Sequence, residues 1–127
     1  YSVECTANVT EGVELIVGVR RDPRFGPIAL AGLGGIYAEL LEDIGVALAP
    51  VEKSQAAALL RSLRGAPLLE GARGRPALDV GAAARALAAL SSAAARYPEI
   101  AELEINPLLV TAGGAVGLDA RIILSGP

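Results

Sequence analysis

The 127-residue chain contains no His, no Met and no Trp, a single Cys, and only 3% aromatic residues. Without His it lacks the commonest general base and metal ligand among the side chains. Cys5 has no second Cys to pair with, so nothing indicates a disulfide-stabilised secreted scaffold. The scarcity of aromatic residues and a formal net charge of -3 argue against nucleic-acid binding, which uses basic faces and stacking platforms. We therefore expect no nucleic acid among the partners.

Hydrophobic residues are abundant, at 53% of the chain, which excludes intrinsic disorder. The first ten residues lack the basic start and apolar run of a signal peptide. The longest apolar run, at 80–95, is rich in Ala and carries Arg85, so we expect no membrane-spanning helix and a soluble cytoplasmic protein. The absence of an initiator Met indicates a processed chain or a piece of a longer one.

The residue patterns in the first and last thirds of the chain are typical of β-strands. A turn is expected at 21–27, where Pro and Gly exclude helix and central strand. Pro107 is expected to interrupt one strand, and Gly113 and Gly114 to form a hairpin turn. The predicted strands are 4–9, 13–19, 28–33, 46–49, 102–106, 108–110, 115–119 and 121–124, with 36–43 ambiguous between strand and helix but favoured as strand.

The middle third is predicted to be helical. Ala56, Leu59, Leu60 and Leu63 form one stripe of an amphipathic helix, which Gly65 and Pro67 are expected to end. A second helix at 80–95 follows Asp79, a plausible N-cap. Because strands, helices and strands follow without regular alternation, we predict an α+β fold with a mixed or antiparallel sheet backed by two main helices.

The terminal hairpin holds the most informative polar residues. Glu104 and Asn106 are two apart on one strand, so their side chains share a face. Asp119 follows the Gly-Gly turn and can return close to Asn106. Two carboxylates and an amide oxygen suit Mg²⁺, which binds one or two protein groups plus phosphates and water. The alternative is a solvated strand face with a turn-stabilising Asn.

Two further features carry weaker indications. Gly32-Leu33-Gly34-Gly35 follows a strand and could cradle a phosphate through backbone N–H groups, or allow a close approach of packed elements. Arg20 and Arg21 stand beside the Pro-Gly loop, and Arg73 and Arg75 in a later loop. Arginine recognises anions, although loop arginines also serve only as solvated charge.

The order of these segments resembles the C-terminal half of the ATP-grasp domain in NDP-forming acyl-CoA synthetases, such as the ADP-forming acetyl-CoA synthetases. The resemblance runs through nearly the whole chain. The segments that carry it are GVELIVGV (12–19), RDP (21–23), FGP (25–27), GLGGIYAE (32–39), LLEG (68–71), RGRP (73–76), EINPL (104–108) and LDA (118–120).

The resemblance implies specific roles for these residues. Such enzymes interconvert acyl-CoA, phosphate and ADP with carboxylate, CoA and ATP through a phosphohistidine. It implies that Asn106 and Asp119 hold Mg²⁺ on the phosphates of ATP or ADP, with Glu104 in or next to the ligand set. By the same implication Gly34, Gly35, Arg20 and Arg21 line the nucleotide end; no residue is assigned as catalytic.

The departures from the family define the expected domain organisation. The chain has no His for the phosphohistidine, and its single Lys, Lys53, matches no phosphate-binding position. We expect 1–127 to be one ATP-grasp subdomain, inactive alone. Its expected partners in the full-length protein are the N-terminal ATP-grasp half and the CoA-binding and ligase domains. The alternatives are a synthetase-like regulatory module of a protein lysine acetyltransferase and a structural homodimerisation piece.

Overall fold

The computed structural model describes residues 12–34, 43–71 and 76–125. The predicted strand at 4–9, most of the segment at 36–43, Gly35, Arg73 and Arg75 lie outside the described residues. Six strands and three helices are present in the described part of the chain. In order they are β1 (Val13–Asp22), β2 (Gly26–Leu33), β3 (Ile44–Leu48), α1 (Lys53–Arg61), α2 (Ala66–Leu69), α3 (Val80–Arg96), β4 (Ile100–Thr111), β5 (Gly114–Gly117) and β6 (Ala120–Leu124).

The six strands form one sheet in which every pairing is antiparallel. The order is β3-β2-β1-β4-β5, and β6 also pairs with β4. The long strand β4 therefore has three partners: β1, β5 through residues 108–111, and β6 through residues 100–105. The α+β prediction is confirmed, and the sheet is antiparallel rather than mixed.

The two faces of the sheet differ in character. Leu15 and Val17 of β1 and Ala29 and Ala31 of β2 are almost fully buried and pack against helical residues in one core. All three described helices contribute to this core. Because side chains alternate along a strand, the intervening residues form the opposite face, which we call the open face.

Helix α3 begins at the N-cap that the sequence predicts, and both main helices pack against the sheet. Asp79 caps α3 by accepting a 2.9 Å hydrogen bond from the Ala82 N–H, and α1 begins with a capping box between Glu52 and Gln55. The small side chains of α3, such as the fully buried Ala83, allow close packing against the sheet. No described helix is long and apolar enough to cross a membrane.

Two prolines act differently from the predictions. Pro67 does not simply end a helix: it lies in the first turn of the short helix α2, where its missing N–H costs no hydrogen bond. Pro107 does not interrupt β4, which is continuous. The pairing with β1 shifts between Leu15 and Val17, which face Leu108 and Ile105. Pro107 thus lies in a β-bulge, where the ladder needs no donor.

Candidate functional site

Asn106 on β4 and Asp119, which lies between β5 and β6, are neighbours. The Asn106 N–H donates to the Asp119 carbonyl at 3.0 Å, and the Leu118 N–H donates to the Pro107 carbonyl at 3.0 Å. The Asp119 carboxylate is oriented by a hydrogen bond: its Oδ1 accepts from the Ala120 N–H at 2.9 Å. The proximity that the hairpin predicts is therefore present.

Glu104 lies on the same face as Asn106. Its Oε1 accepts a hydrogen bond from Asn106 Nδ2 at 3.4 Å. Together with Asp119, Ala120 and Arg121, these residues line a cavity of about 140 Å³. We call it the polar cavity.

Arg121 is a member of the site that the sequence reasoning missed. Its Nη2 lies 3.2 Å from Glu104 Oε2 and 3.5 Å from Glu102 Oε1. It reaches them because β6 pairs with β4 in a register that sets Arg121 opposite Glu104. The spacing carried a signal: Arg121 is two residues after Asp119, so an extended chain returns both side chains to one face.

The donor set suits a hard divalent cation that also binds other ligands. Within the described residues, no three His, Cys, Asp or Glu side chains form a metal-binding group. The polar cavity offers two carboxylates and one amide oxygen, which is the share that Mg²⁺ takes from a protein when substrate phosphates and waters complete its shell. The residues present therefore fit Mg²⁺ bound together with a phosphate ligand.

A second cavity, of about 230 Å³, adjoins the first on the open face. Glu104 and Arg121 line both cavities, whereas Arg20, Leu30 and Glu102 line the second cavity and not the first. Gly18 contributes to its floor: a Cβ there would lie 2.8 Å from the Leu103 carbonyl oxygen, so the strand pair requires glycine at this position. We call this the middle cavity.

The open face becomes more apolar towards β3. A third cavity, of about 310 Å³, is lined by Ile28, Leu30 and Val46, and at the end of β1 and the turn after it by Arg20, Arg21, Asp22 and Pro23. Ile44, Val46 and Leu48 on the edge strand β3 are each at least 60% exposed. The face thus runs from apolar side chains at β3 to carboxylates and arginines at β4 and β6.

The two neighbouring arginines of β1 point to different places. Arg20 is exposed and lines the middle cavity, opposite Glu102 in the ladder. Arg21 is bound elsewhere: its Nη2 donates to the Ala94 carbonyl at 2.6 Å and its Nε to the Ile100 carbonyl at 3.1 Å. The Arg21 guanidinium therefore fastens the end of α3 to the sheet, and the structure does not bring it to the polar cavity.

Gly34, in the Gly32–Gly35 segment, also has a structural partner. The Gly34 N–H donates to the Glu14 carbonyl at 2.8 Å, which extends the contact between β1 and β2. Its amide is thus used within the sheet, in agreement with the close-approach alternative. Gly35 lies outside the described residues.

A match to a protein-family model identifies the class of domain. Residues 1–124 match the family described as the ATP-grasp domain, so the chain belongs to that family. More particularly, its relatives are ADP-forming acyl-CoA ligases. The chain is 41% identical over 113 residues to the beta subunit of acetate–CoA ligase (ADP-forming) I of Pyrococcus furiosus. This alignment covers 89% of the present chain and 49% of that subunit.

Two further similar proteins are also acyl-CoA ligases or synthetases. The chain is 39% identical over 116 residues to the 4-hydroxybutyrate–CoA ligase (ADP-forming) of Nitrosopumilus maritimus. This alignment covers 90% of the present chain and 17% of that protein. The dinucleotide-forming acetyl-coenzyme A synthetase 1 of Ca. Korarchaeum cryptofilum, solved with coenzyme A and Mg-AMPPCP, is 38% identical with a TM-score of 0.84. The match covers 90% of this chain and 54% of that one. The chain thus spans about half or less of these relatives.

Proposed function

We propose that the chain is the C-terminal subdomain of the ATP-grasp domain in an ADP-forming acyl-CoA synthetase, where it supplies one side of the Mg²⁺–nucleotide site. The observation that carries this proposal is the polar cavity, in which Glu104, Asn106, Asp119 and Arg121 converge on one side of an open sheet face. Its location at one end of an apolar-to-charged gradient suits a ligand with an apolar base and a charged phosphate chain.

In this proposal the oxygen-bearing side chains of the polar cavity hold the metal ion. Asn106 and Asp119 contribute oxygen ligands to Mg²⁺, and Glu104 contributes a ligand or orients Asn106. When bound, Mg²⁺ would neutralise phosphate charge and position the phosphoryl group for transfer. Arg20 adds positive charge along the middle cavity, which favours an anionic ligand on this face.

The chemistry of the full-length protein requires further domains. The proposed reaction converts a carboxylate, CoA and ATP into acyl-CoA, ADP and phosphate, or the reverse, through a phosphohistidine. The 127-residue chain has no His, so the phosphohistidine would belong to another part of the protein. The solved Korarchaeum relative has a phosphohistidine segment that points towards its nucleotide-binding site, which supports this division. The acetyltransferase module and the homodimer stay untested predictions.

The experiment is a nucleotide-binding measurement on the full-length protein. Calorimetry with ADP in Mg²⁺ is carried out on the wild type, on the double variant Asn106→Ala/Asp119→Ala, and on Arg61→Gln as a control. Arg61 forms an exposed ion pair with Glu70 at 3.2 Å and lies on α1, away from the open face. We expect the double variant to bind at least about tenfold more weakly, a change of about 1.4 kcal/mol. An unchanged affinity would contradict the metal assignment.

A further inference from the structure

The guanidinium of Arg121 is held by two carboxylates, and the proposed function assigns one of them, Glu104, to the Mg²⁺ site. Its Nη2 contacts Glu104 Oε2 at 3.2 Å and Glu102 Oε1 at 3.5 Å. The Arg121 side chain is 62% exposed, against 25% for Glu104. An ion pair so open to water is weak, because solvent screens the charges and holding the long side chain costs entropy. The guanidinium can therefore change partners at little cost.

Arg121 also lies on the boundary between two cavities. It lines the polar cavity with Asn106 and Asp119, and it lines the middle cavity with Arg20 and Leu30. A phosphate chain that extends from the polar cavity across the middle cavity would pass over this side chain. Its planar fork of donors matches phosphate oxygens in a way that an ammonium group does not.

Glu104 is the group for which the guanidinium and a divalent cation would compete. One Glu104 oxygen accepts from Asn106, and the other contacts Arg121. A cation bound beside Glu104 would repel the guanidinium and take over its carboxylate. A polyphosphate arriving with the cation would bring new oxygens for the displaced arginine.

We propose that Arg121 exchanges partners during binding: it neutralises Glu104 and Glu102 in the empty site, and moves to the phosphate oxygens of a nucleoside polyphosphate when a divalent cation takes Glu104. This inference rests on the proposed function. It makes Arg121 a phosphate-binding residue and gives it opposite effects on two affinities. Arg121 weakens the binding of the cation alone and strengthens the binding of the cation with nucleotide.

A purely structural role for Arg121 would be to attach β6 to β4. The backbone ladder already joins these strands from Ile105–Ala120 to Ile100–Leu124. The ion pair adds little to that attachment, since exposed pairs contribute little. The pair Arg61–Glu70 has the same 3.2 Å separation and a similarly exposed arginine but lines none of the three cavities described, so it serves as the control.

The test measures both affinities on the full-length protein. Binding of Mn²⁺ alone is followed by electron paramagnetic resonance, with the signal of this site defined as the part lost in Asp119→Ala. Binding of Mn²⁺–ADP is followed by calorimetry. The variants are Arg121→Gln, Arg121→Lys and the control Arg61→Gln. Arg121→Lys keeps the charge and gives a second readout if Arg121→Gln does not fold.

The proposal expects the two affinities to change in opposite directions. Arg121→Gln should bind Mn²⁺ alone roughly two- to fivefold more tightly, because the weak competing pair is lost. It should bind Mn²⁺–ADP about tenfold or more weakly, because a charge-assisted bond to phosphate is lost. Arg121→Lys should leave the binding of Mn²⁺ alone within about twofold of the wild type, and weaken Mn²⁺–ADP binding less than Arg121→Gln does. Arg61→Gln should change neither.

The contrary outcomes separate this inference from the proposed function. If wild-type protein binds Mn²⁺–ADP and Arg121→Gln binds it equally well, partner exchange is wrong and the proposed function stands. If both affinities fall together in Arg121→Gln, Arg121 has only a structural role. If the wild type does not bind Mn²⁺–ADP, the proposed function fails, and this inference fails with it.

Discussion

Asn106 and Asp119 are joined through the main chain: the Asn106 N–H donates to the Asp119 carbonyl at 3.0 Å. This bond fixes the spacing of the two residues independently of their side chains. Side-chain substitutions at either position can therefore change the chemistry of the polar cavity while the strand junction persists. That separation allows the site to be tested without dismantling the sheet.

We predict that Asp119→Asn retains the fold and loses cation affinity. Asn can still accept the 2.9 Å hydrogen bond from the Ala120 N–H through its amide oxygen, but it removes a negative charge from the ligand set. In the full-length protein, the Mg²⁺–ADP affinity should fall by about tenfold or more, on the order of 1.4 kcal/mol.

The control for this substitution is Asp79→Asn. Asp79 Oδ1 also accepts a backbone hydrogen bond of 2.9 Å, from Ala82, but it caps α3 on the helical face. Asn is as good an N-cap as Asp, so neither the fold nor the nucleotide affinity should change. Calorimetry and circular dichroism check both variants. Equal affinity in Asp119→Asn and Asp79→Asn would contradict a ligand role for Asp119.

We predict that Arg20 and Arg21, although adjacent, affect different properties. Arg20→Gln should weaken Mg²⁺–ADP binding by roughly two- to fivefold, because an exposed charge on the open face is lost. Arg21→Gln should leave that affinity unchanged and destabilise the contact between α3 and β4 by about 2 kcal/mol, since its hydrogen bonds to the Ala94 and Ile100 carbonyls are lost.

Calorimetry measures the affinities in this pair. Hydrogen exchange of the segment 94–101 in the full-length protein measures the local stability, because faster exchange there reports easier opening. A loss of nucleotide affinity in Arg21→Gln with normal exchange would show that Arg21 belongs to the binding site after all.

The sequence predicted the parts of the site that depend on local geometry. Glu104 and Asn106 share a face because they are two apart on a strand, and the Gly-Gly turn returns Asp119 to them. Arg121 could not be assigned in this way, since its contact with Glu104 depends on the pairing of β6 with β4. The β-bulge at Pro107 was missed for a similar reason: it is visible only when β1 is laid beside β4.

Alternation along β1 separates two residues that the sequence groups together. Arg20 and Arg21 follow each other on a strand, so only one of them can face a given side of the sheet. The two residues stand beside the Pro-Gly loop, and only the family resemblance implies that both line the nucleotide end. The strand continues to Asp22, which places Arg20 on the open face and Arg21 towards the end of α3.

We predict that Asp43 stabilises the segment between α1 and α2. Its carboxylate is buried and accepts hydrogen bonds from the backbone N–H groups of Arg64, at 2.7 Å, and Gly65, at 2.6 Å. Asp43→Ala leaves these donors without the carboxylate, at a cost of about 1–3 kcal/mol. Hydrogen exchange of residues 62–70 in the full-length protein should accelerate accordingly. The control, Glu70→Ala, removes only an exposed ion pair and should have little effect.

We predict that Gly18 cannot be replaced without disturbing both the sheet and the middle cavity. A Cβ at Gly18 would lie 2.8 Å from the Leu103 carbonyl oxygen and 3.3 Å from Glu104 Cα, both of which are backbone atoms with little freedom to move. Gly18→Ala should therefore destabilise the pairing of β1 with β4 by about 1–3 kcal/mol, and should weaken Mg²⁺–ADP binding by shifting Glu104. Gly113→Ala is the matched control, because its Cβ would meet only Thr111 Oγ1, at 3.9 Å. Thermal unfolding and calorimetry on the full-length protein compare the two; if Gly18→Ala matches Gly113→Ala in both, the close approach of the strands does not shape the site.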